Sequence, residues 1–593
     1  GVAVKGGTVT VRGDAAVTGS GAANTPSEGN TSGVNNTGDA FYVEGNYGRD
    51  IKVDIQDGTF ESVNGKAVQM LFEDNASGTK EIGVTSGEFS SEVPKEYIVS
   101  GMTAASVASG SDTAYFVGTG EAVAETVASR VAQGDTVTVQ QGDAALALPE
   151  GVTVKNEGEG TVTSNGTEIG TGETVTTKEP VAQVGETKYE SLQAAIDAAN
   201  GGTVTLLADV DECVVIAEGK TVTLDLGTFT LSNGDTAAPG IYNNYKDTIS
   251  NKGTLTIKGS GKIESVVGAI VNYPGATAVL TGGTYTSSGW YSIKNMGTMT
   301  ISEGVSVETT APSASLVANG WYGDNNTDRN TAYGASAATL TITGGTLTGG
   351  MNTVKNDDYG ILNITGGTFE NTTGPTILNW NETTISGGNF SVPNGFVLAN
   401  GSFANEADKG SMTITGGTFT SGNGGTDKLL GWGLGGKEGG KLTIQGGTFA
   451  GVFPDPDDPA EKAPYEIGVE KGEFNSEVPA EYIEEGKASA SLETEGETAY
   501  FIGTNEEVAE AIEARAKEGD TVTVQQGDVE LALPVGVTVE NKGEGEVVVN
   551  GEAVEPGETV VTEEEPQPEV KDVYYKDAAT GVILNTDTTK VPE

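Results

Sequence analysis

The sequence predicts a mainly β protein. In it, a right-handed parallel β-helix with a helical N-terminal cap alternates with small helix-plus-strand modules in an elongated multidomain chain. Two repeats predict this fold: a short phrase ending in GGTF, and a much longer segment that occurs twice. The composition agrees, because glycine makes up 88 of 593 residues and is spread among segments rich in valine, threonine and isoleucine.

The short repeat has the pattern of one coil of a parallel β-helix. Within a copy, Leu340 and Ile342 alternate with threonine, which predicts a strand with one buried face. The glycine pair that follows breaks the strand at a corner, where positive φ is needed. The copies start about 20 to 30 residues apart, with one longer gap. They are LTIKGSGKI from Leu255, AVLTGGTY from Ala278, MTISEG from Met299, LTITGGTL from Leu340, LNITGGTF from Leu362, TTISGGNF from Thr383, MTITGGTF from Met412 and LTIQGGTF from Leu442.

A second pattern in the coils predicts an internal asparagine ladder. Each asparagine follows an apolar residue by two positions, so both face the same, inward side of a strand. A buried amide must be hydrogen-bonded, and stacking asparagine on asparagine from coil to coil meets that need. The predicted ladder residues are Asn272, Asn295, Asn319, Asn356, Asn379 and Asn400. The residues just before them should face outward: Val271, Lys294, Ala318, Lys355, Leu378 and Ala399.

A short helix is predicted before the first of these coils, at about residues 189–199. Leu192, Ile196 and Ala199 share one helical face with Ala195, and a glycine pair follows at 201–202. The exposed strand edges at the end of a β-helix need a cover. We therefore expect this helix to cap the β-helix.

The long repeat divides the chain into modules. DTVTVQQGD occurs at 135–143 and again at 520–528, 385 residues later, and the resemblance extends from EIGV at 81 and 466 to ETV near the end of each copy. Each copy has its own helix pattern followed by strand patterns. The predicted divisions are 1–80, the last coils of a preceding β-helix; 81–178, module copy 1; 179–465, the capped β-helix; 466–562, module copy 2; and 563–593, an acidic proline-containing linker and the start of a next unit.

Charge and hydropathy restrict the partners. The net charge is −52, from 84 acidic and 32 basic residues, so nucleic acid is excluded as a partner by repulsion. The chain has no histidine, which removes the commonest general base and transition-metal ligand. No apolar run approaches the roughly 18 residues needed to cross a bilayer, so no membrane insertion is predicted in this segment. We expect a monomeric slice of a longer chain.

ITGGTF, together with GEFSSEVPKEYI, resembles the tandem-repeated, pectate-lyase-like β-helix surface proteins of anaerobic gut bacteria. The resemblance covers most of the chain. It implies an extracellular location on a bacterial cell surface and an adhesin-like function, with a host glycan or glycoprotein, such as a mucin or an immunoglobulin, as partner. A purely structural spacer is the alternative within the same class.

Aromatic residues near the ladder corner are the candidate binding residues. Tyr273, Trp321 and Trp380 each follow a ladder asparagine by one or two positions, and regularly spaced rings could stack on sugar rings. The alternative is that the rings pack over the corners. Long loops on rigid scaffolds often carry function, which adds the insertion after Asn319. The candidate ligand-binding residues are Tyr273, Trp290, Trp321, Tyr322, Arg329, Tyr333 and Trp380.

A Ca²⁺-assisted polysaccharide lyase is the enzymatic alternative. Lys355 could serve as its base beside Asp357 and Asp358, although short polar residues at a corner are also ordinary turn chemistry. In the insertion, DNNTD places oxygen ligands at Asp324, Asn326 and Asp328, as in a calcium loop, but it lacks the later bidentate acid. We therefore predict no cofactor, with Ca²⁺ at these three residues as the alternative, and favour a non-enzymatic protein.

Overall fold

The structure is a computed structural model. It describes residues 1–20, 38–45, 47–71, 77–233, 247–311, 313–320, 337–372, 374–401, 410–432 and 439–563, with short pieces at 575–576, 579–580 and 583–585. The chain divides into two compact units, Gly1–Thr286 and Ser287–Glu593. The described residues are mainly β, with long parallel sheets of short strands, as the coil repeat predicts. This arrangement is β-helix-like.

The first unit begins with three stacked coils. Each coil contributes one short strand to each of three parallel rows. The rows are Val2–Val4, Phe41–Glu44 and Val68–Leu71; Gly7–Val11, Ile51–Ile55 and Lys80–Val84; and Ala16–Gly19, Thr59–Ser62 and Gly87–Phe89. Phe60 and Phe89 stack inside with ring centroids 5.2 Å apart. Parallel pairing thus continues past residue 80.

Module copy 1 follows directly and changes the strand direction. Its strand Asp112–Gly118 pairs antiparallel with Gly87–Phe89, the last strand of the coils. Helix α1, Gly120–Arg130, packs against the new sheet through Val123 and Val127. The elements after the coils are the 3₁₀ turn Lys95–Tyr97, the strands Thr103–Ser109 and Asp112–Gly118, α1 (Gly120–Arg130), and the strands Thr136–Gln141, Ala144–Leu146, Thr153–Asn156, Val162–Ser164, Thr167–Ile169 and Thr174–Thr176.

An entry segment, residues 182–198, leads into the next coils. It is a hairpin of Ala182–Val184 and Thr187–Tyr189 followed by helix α2, Leu192–Ala198. The helix lies inside the predicted range 189–199, and three of the four predicted residues, Leu192, Ala195 and Ile196, are buried in it. The fourth, Ala199, is its C-cap and is also buried. Ser191 accepts from the backbone N–H of Ala194 and so caps the first turn.

The remaining strands of the first unit form three parallel rows. In each row the register keeps apolar residue beside apolar residue, as where Leu224 pairs with Ile257. The rows are Thr203–Leu206, Thr221–Asp225, Thr254–Lys258 and Thr277–Leu280; Val210–Asp211, Thr230–Ser232, Lys262–Ser265 and Gly283–Ser287; and Val214–Ile216, Ile249–Asn251 and Ile270–Asn272.

The second unit contains three parallel rows of the same kind, named here the first, second and third rows. The first row is Thr298–Ile301, Ala338–Ile342, Gly360–Ile364, Glu382–Ile385, Ser411–Ile414 and Lys441–Ala450. The second is Val305–Thr309, Thr346–Thr348, Thr368–Glu370, Asn389–Val392 and Thr418–Ser421, and also pairs with the end of Lys441–Ala450. The third is Ile293–Asn295, Val317–Asn319, Val354–Asn356, Ile377–Asn379, Leu398–Asn400 and Leu430–Gly431.

The glycine pair of the coil repeat separates the first row from the second. In Gly366–Gly367 the second residue has a φ of 109°, which an L side chain rarely adopts. A Cβ on Gly366 would lie 2.7 Å from the carbonyl oxygen of Thr343 in the previous coil. Backbone therefore approaches backbone at these corners, and the repeat needs glycine there.

A column of phenylalanines fills the interior below the second row. The aromatic residue that ends GGTF or GGNF is almost completely buried in every described copy from Phe369 onward. Successive rings stack with centroids 4.5 to 5.1 Å apart and interplanar angles of 6 to 14°. The column consists of Phe369, Phe390, Phe419, Phe449 and Phe474. The coil spacing therefore matches the stacking distance of aromatic rings.

Module copy 2 repeats the architecture of copy 1. Its first strand pairs in parallel with Lys441–Ala450 and antiparallel with Glu497–Gly503. Arg515 makes a bidentate ion pair with Glu473, as Arg130 does with Glu88 in copy 1. The elements are Glu466–Phe474, the 3₁₀ turn Ala480–Tyr482, Ala488–Thr494, Glu497–Gly503, helix α3 (Asn505–Glu513), Thr521–Gln526, Val529–Leu531, Thr538–Asn541, Val547–Val549, Glu552–Val554 and Thr559–Val561. A small hairpin, Tyr575–Lys576 and Ile583–Asn585, follows.

Candidate functional site

The ladder asparagines lie at the ends of the third-row strands, and hydrogen bonds join them. In the second unit each Nδ2 donates to the Oδ1 of the next asparagine along the chain, over 2.7 to 2.9 Å. Each of these side chains is at most 1% exposed. The residues joined in this way are Asn295, Asn319, Asn356, Asn379 and Asn400.

The first unit contains the start of a similar ladder. Asn251 donates to Asn272 over 2.7 Å, and both are completely buried. Asn251 was not among the predicted ladder residues, although ISN at 249–251 has the same apolar-x-Asn pattern as the other members. In the two modules, Asn156 and Asn541 stand alone and donate to backbone carbonyls at 2.8 Å, those of Ile169 and Val554.

The outward positions of the third row are covered in the later coils. Val271 and Lys294 are half-buried, as expected for outward-facing side chains. The other four outward-facing residues are covered by protein. Ala318 and Ala399 are completely buried, and Lys355 and Leu378 are 6% and 4% exposed. Leu378 and Ala399 belong to a small outer cluster with two aromatic residues, Trp380 and Phe396. This outer cluster gives the coils a second apolar layer outside the strands.

Trp380 is part of that outer layer. Its side chain is 4% exposed and packs against Leu378, Ala399 and Phe396. The ammonium nitrogen of Lys355 lies 4.1 Å from the centroid of the Trp380 ring, which is a cation–π contact. Since the ring faces are covered by protein, the packing interpretation describes Trp380 better than a surface for stacking sugars.

Lys355, Asp357 and Asp358 form a buried charged group beside Trp380. The ammonium of Lys355 lies 3.3 Å from a carboxylate oxygen of Asp357, and Asp357 and Asp358 are 0% and 6% exposed. The ion pair engages the lysine ammonium, and burial keeps a polymeric substrate away from it. This geometry does not suit a lysine that must abstract a proton from a polysaccharide.

The exposed aromatic group of the second unit is at Trp290, just before the third-row strand Ile293–Asn295. Its side chain is 37% exposed, the only tryptophan among the large exposed hydrophobic side chains of the described residues. The Tyr291 ring lies 6.2 Å away, tilted by 46°, and the ammonium of Lys294 lies 5.2 Å from the Tyr291 centroid. This group, named here the Trp290 cluster, combines accessible ring area with a positive charge. In the first unit, half-buried Tyr273 has a similar neighbour, because the Lys252 ammonium lies 5.3 Å from its ring centroid.

The predicted insertion lies outside the described residues. This applies to the candidate binding residues Trp321, Tyr322, Arg329 and Tyr333 and to the candidate calcium ligands Asp324, Asn326 and Asp328. Within the described part of the chain, no group of three or more acidic or cysteine side chains is placed to hold a metal ion. The same part contains no helix that is both long and apolar enough to cross a membrane.

Two carboxyl groups in the described residues have strongly shifted pKa values. Burial raises the pKa of Asp247 from 3.8 to about 7, and its side chain is 7% exposed. A hydrogen bond from Lys471, supported by the backbone N–H of Thr504, lowers the pKa of Glu507 to about 2. Glu507 belongs to the capping box of α3, so its low pKa follows from a structural role.

A cleft of about 540 Å³ lies in the first unit. It lies where module copy 1 meets the entry segment, between Gly166 and Thr167 on one side and the residues of α2 on the other. Comparison with known proteins found no match to a family model, to a curated protein or to a solved structure.

Proposed function

We propose that the protein is an extracellular bacterial surface protein that acts as an adhesin-like stalk. In this proposal a right-handed β-helix, capped by α2, provides a stiff scaffold that displays a binding surface for a host glycan or glycoprotein. The asparagine ladder and the phenylalanine column support the scaffold, since both run through the coils of the second unit and tie each coil to the next.

The cap in this proposal is supported by the hydrogen bonds of Gln193 on α2. Its side-chain oxygen accepts from the backbone N–H of Val215 at 2.7 Å, and its nitrogen donates to the Val215 carbonyl at 3.1 Å. Val215 lies in the first strand of its row, which has no strand on its other side within the described residues. The helix thus supplies hydrogen bonds that a neighbouring strand would otherwise make.

The Trp290 cluster is the observation that favours a binding function. An exposed tryptophan beside a tyrosine suits the apolar face of a sugar ring, and Lys294 adds a cation next to the rings. Lys294 gives the cluster a local positive charge in a protein whose net charge is −52. We therefore place the glycan contact at Trp290, Tyr291 and Lys294.

The test is binding of the full chain to arrays of host glycans, mucins and immunoglobulins, with and without chelator. Trp290→Ala should lower binding to any ligand found by about tenfold or more, as expected for an aromatic anchor. Met351→Ala is the matched control, because Met351 is a large side chain of the same unit with 43% exposure. Equal loss in both variants, or none in Trp290→Ala, would remove the Trp290 cluster from the proposal.

A purely structural spacer is the second candidate. It is favoured by the outer cluster, since Trp380 and the third-row side chains around it are buried instead of displayed. Absence of binding across the arrays would support the spacer. A Ca²⁺-dependent release of unsaturated sugars from acidic polysaccharides would instead support the lyase, against which the burial of Lys355 and Asp357 argues.

A further inference from the structure

The two module copies present the same polar turn in two different states. In copy 1, Asn165 has a φ of 46° and its side chain pairs with Leu148, accepting from the backbone N–H at 2.9 Å and donating to the carbonyl at 3.0 Å. In copy 2, Asn550 has a φ of 49° and makes the same two hydrogen bonds to Leu533, at 2.9 and 3.0 Å. A glycine with positive φ follows each asparagine. The local structure is therefore conserved between the copies.

In copy 1 this turn is occupied by the entry segment. The Tyr189 ring lies directly on Gly166, where an added Cβ would overlap the ring. The Asn165 amide donates a further hydrogen bond to the carboxylate of Glu190 at 2.7 Å. As a result Tyr189 is 8% and Asn165 is 6% exposed. One aromatic ring and the acid that follows it thus fill the site.

In copy 2 the equivalent turn is open. No described atom lies within 4 Å of a Cβ built on Gly551, and Asn550 is exposed where Asn165 is buried. Copy 2 also has an exposed valine two residues after Leu533: Val535, 47% exposed, stands where copy 1 has Glu150. Asn550, Gly551 and Val535 together are named here the copy-2 socket.

We propose that the copy-2 socket is a docking site for a β-helix entry segment other than residues 182–198 of the same molecule. The partner has the chemistry of residues 182–198: a hairpin that ends in an aromatic residue followed by an acid, and then a short helix. The ring covers Gly551 and the carboxylate accepts from the Nδ2 of Asn550, as Tyr189 and Glu190 do in copy 1.

The contact that the entry segment makes within its own chain argues against the entry segment of a second, intact copy as the partner. Tyr189 and Glu190 are already docked on the neighbouring module of their own chain, where their effective concentration is far above that of a second molecule in solution. The socket is therefore available to a free entry segment, and module copies act as adaptors between successive β-helical pieces. This inference does not depend on glycan binding.

A labelled synthetic peptide of residues 180–200 is the probe, and its binding to the full chain is followed by fluorescence anisotropy. We expect saturable binding at one site. Gly551→Asn should weaken it by about tenfold or more, because asparagine tolerates the turn but fills the position of the ring. Gly557→Asn is the matched control, since Gly557 has a φ of 84° and the same open surroundings. The Tyr189→Ala peptide should lose binding to a similar extent.

A second measurement covers the case in which the free peptide does not form its hairpin. Gly166→Asn in the full chain displaces the entry segment from copy 1, so this variant should self-associate in sedimentation velocity. The double variant Gly166→Asn with Gly551→Asn should not, while Gly166→Asn with Gly557→Asn should. Peptide binding that is indifferent to Gly551→Asn would overturn the proposal, and so would the absence of both peptide binding and self-association.

Discussion

Replacement of Asn356 by leucine tests the ladder as the element that holds the coils of the second unit together. The Asn356 side chain accepts from Asn319 Nδ2 at 2.8 Å and donates to Asn379 Oδ1 at 2.9 Å. It also donates to two backbone carbonyls, those of Gly360 at 3.0 Å and Glu382 at 2.8 Å. Leucine has a similar size but can make none of these bonds.

The size of the effect follows from the groups that lose a partner. Asn319 keeps its bond to the Ile361 carbonyl and Asn379 keeps a bond from Thr383, so neither ladder neighbour is left without a partner. The Gly360 and Glu382 carbonyls and one hydrogen-bonding position on each neighbour lose the Asn356 amide as a partner. At about 1 to 3 kcal/mol for an unsatisfied buried group, we expect a loss of about 2 to 4 kcal/mol.

Tryptophan fluorescence during urea unfolding is the assay. All four tryptophans lie between residues 290 and 432, so this signal reports on the coils of the second unit and not on the modules. The control is Asn363→Leu, the same exchange at a half-buried strand position outside the ladder. If Asn356→Leu lowers the unfolding free energy no more than the control does, the ladder does not stabilise the coils in the way argued here.

Three further changes have expected outcomes. Phe419→Ala removes a completely buried ring from the middle of the phenylalanine column and should cost about 3 to 5 kcal/mol in the same urea assay; a loss below that of Asn363→Leu would contradict a packed column. Trp380→Ala should lower stability and leave ligand binding unchanged, since the ring is buried; the opposite pattern would restore it as a binding residue. Burial raises the folded-state pKa of Asp247 to about 7, whereas the unfolded value is near 4. The contribution of Asp247 to the free energy of unfolding is therefore fully present below pH 4 and is lost as the pH rises to 7, a difference on the order of 4 kcal/mol. Asp247→Asn should therefore be more stable than the wild type at pH 8 and not at pH 4, as measured by circular dichroism in urea; equal pH dependence of both proteins would refute the raised pKa.

Most of the fold could be predicted from patterns within a few residues of the sequence. Alternation in LTIT and ILNI marks strands with one buried face, and the glycine pairs mark corners; both depend on backbone geometry within a few residues. The ladder positions could be listed for the same reason, since apolar-x-Asn is visible in the sequence. Asn251 shows that the same rule could have been applied one coil earlier.

The candidate site was harder to predict, because exposure depends on distant contacts. Both Trp290 and Trp380 are candidate binding residues from the sequence. In the folded protein Trp380 packs against Phe396, Ala399 and Lys355 from neighbouring coils, whereas Trp290 keeps an exposed ring. The sequence around Lys355 and Asp357 likewise contains no pattern that predicts their burial.

By itself the sequence determined the coil repeat, the inward amide positions, the short helix before the coils and the duplication of the module, since each follows from spacing along the chain. Only the tertiary structure decided which outward side chains are covered, and that the Asn-Gly turn is filled in copy 1 and open in copy 2. The physical reason is that hydrogen bonding and alternation are properties of neighbouring residues, whereas burial on an outer surface depends on which other segment of the chain lies there.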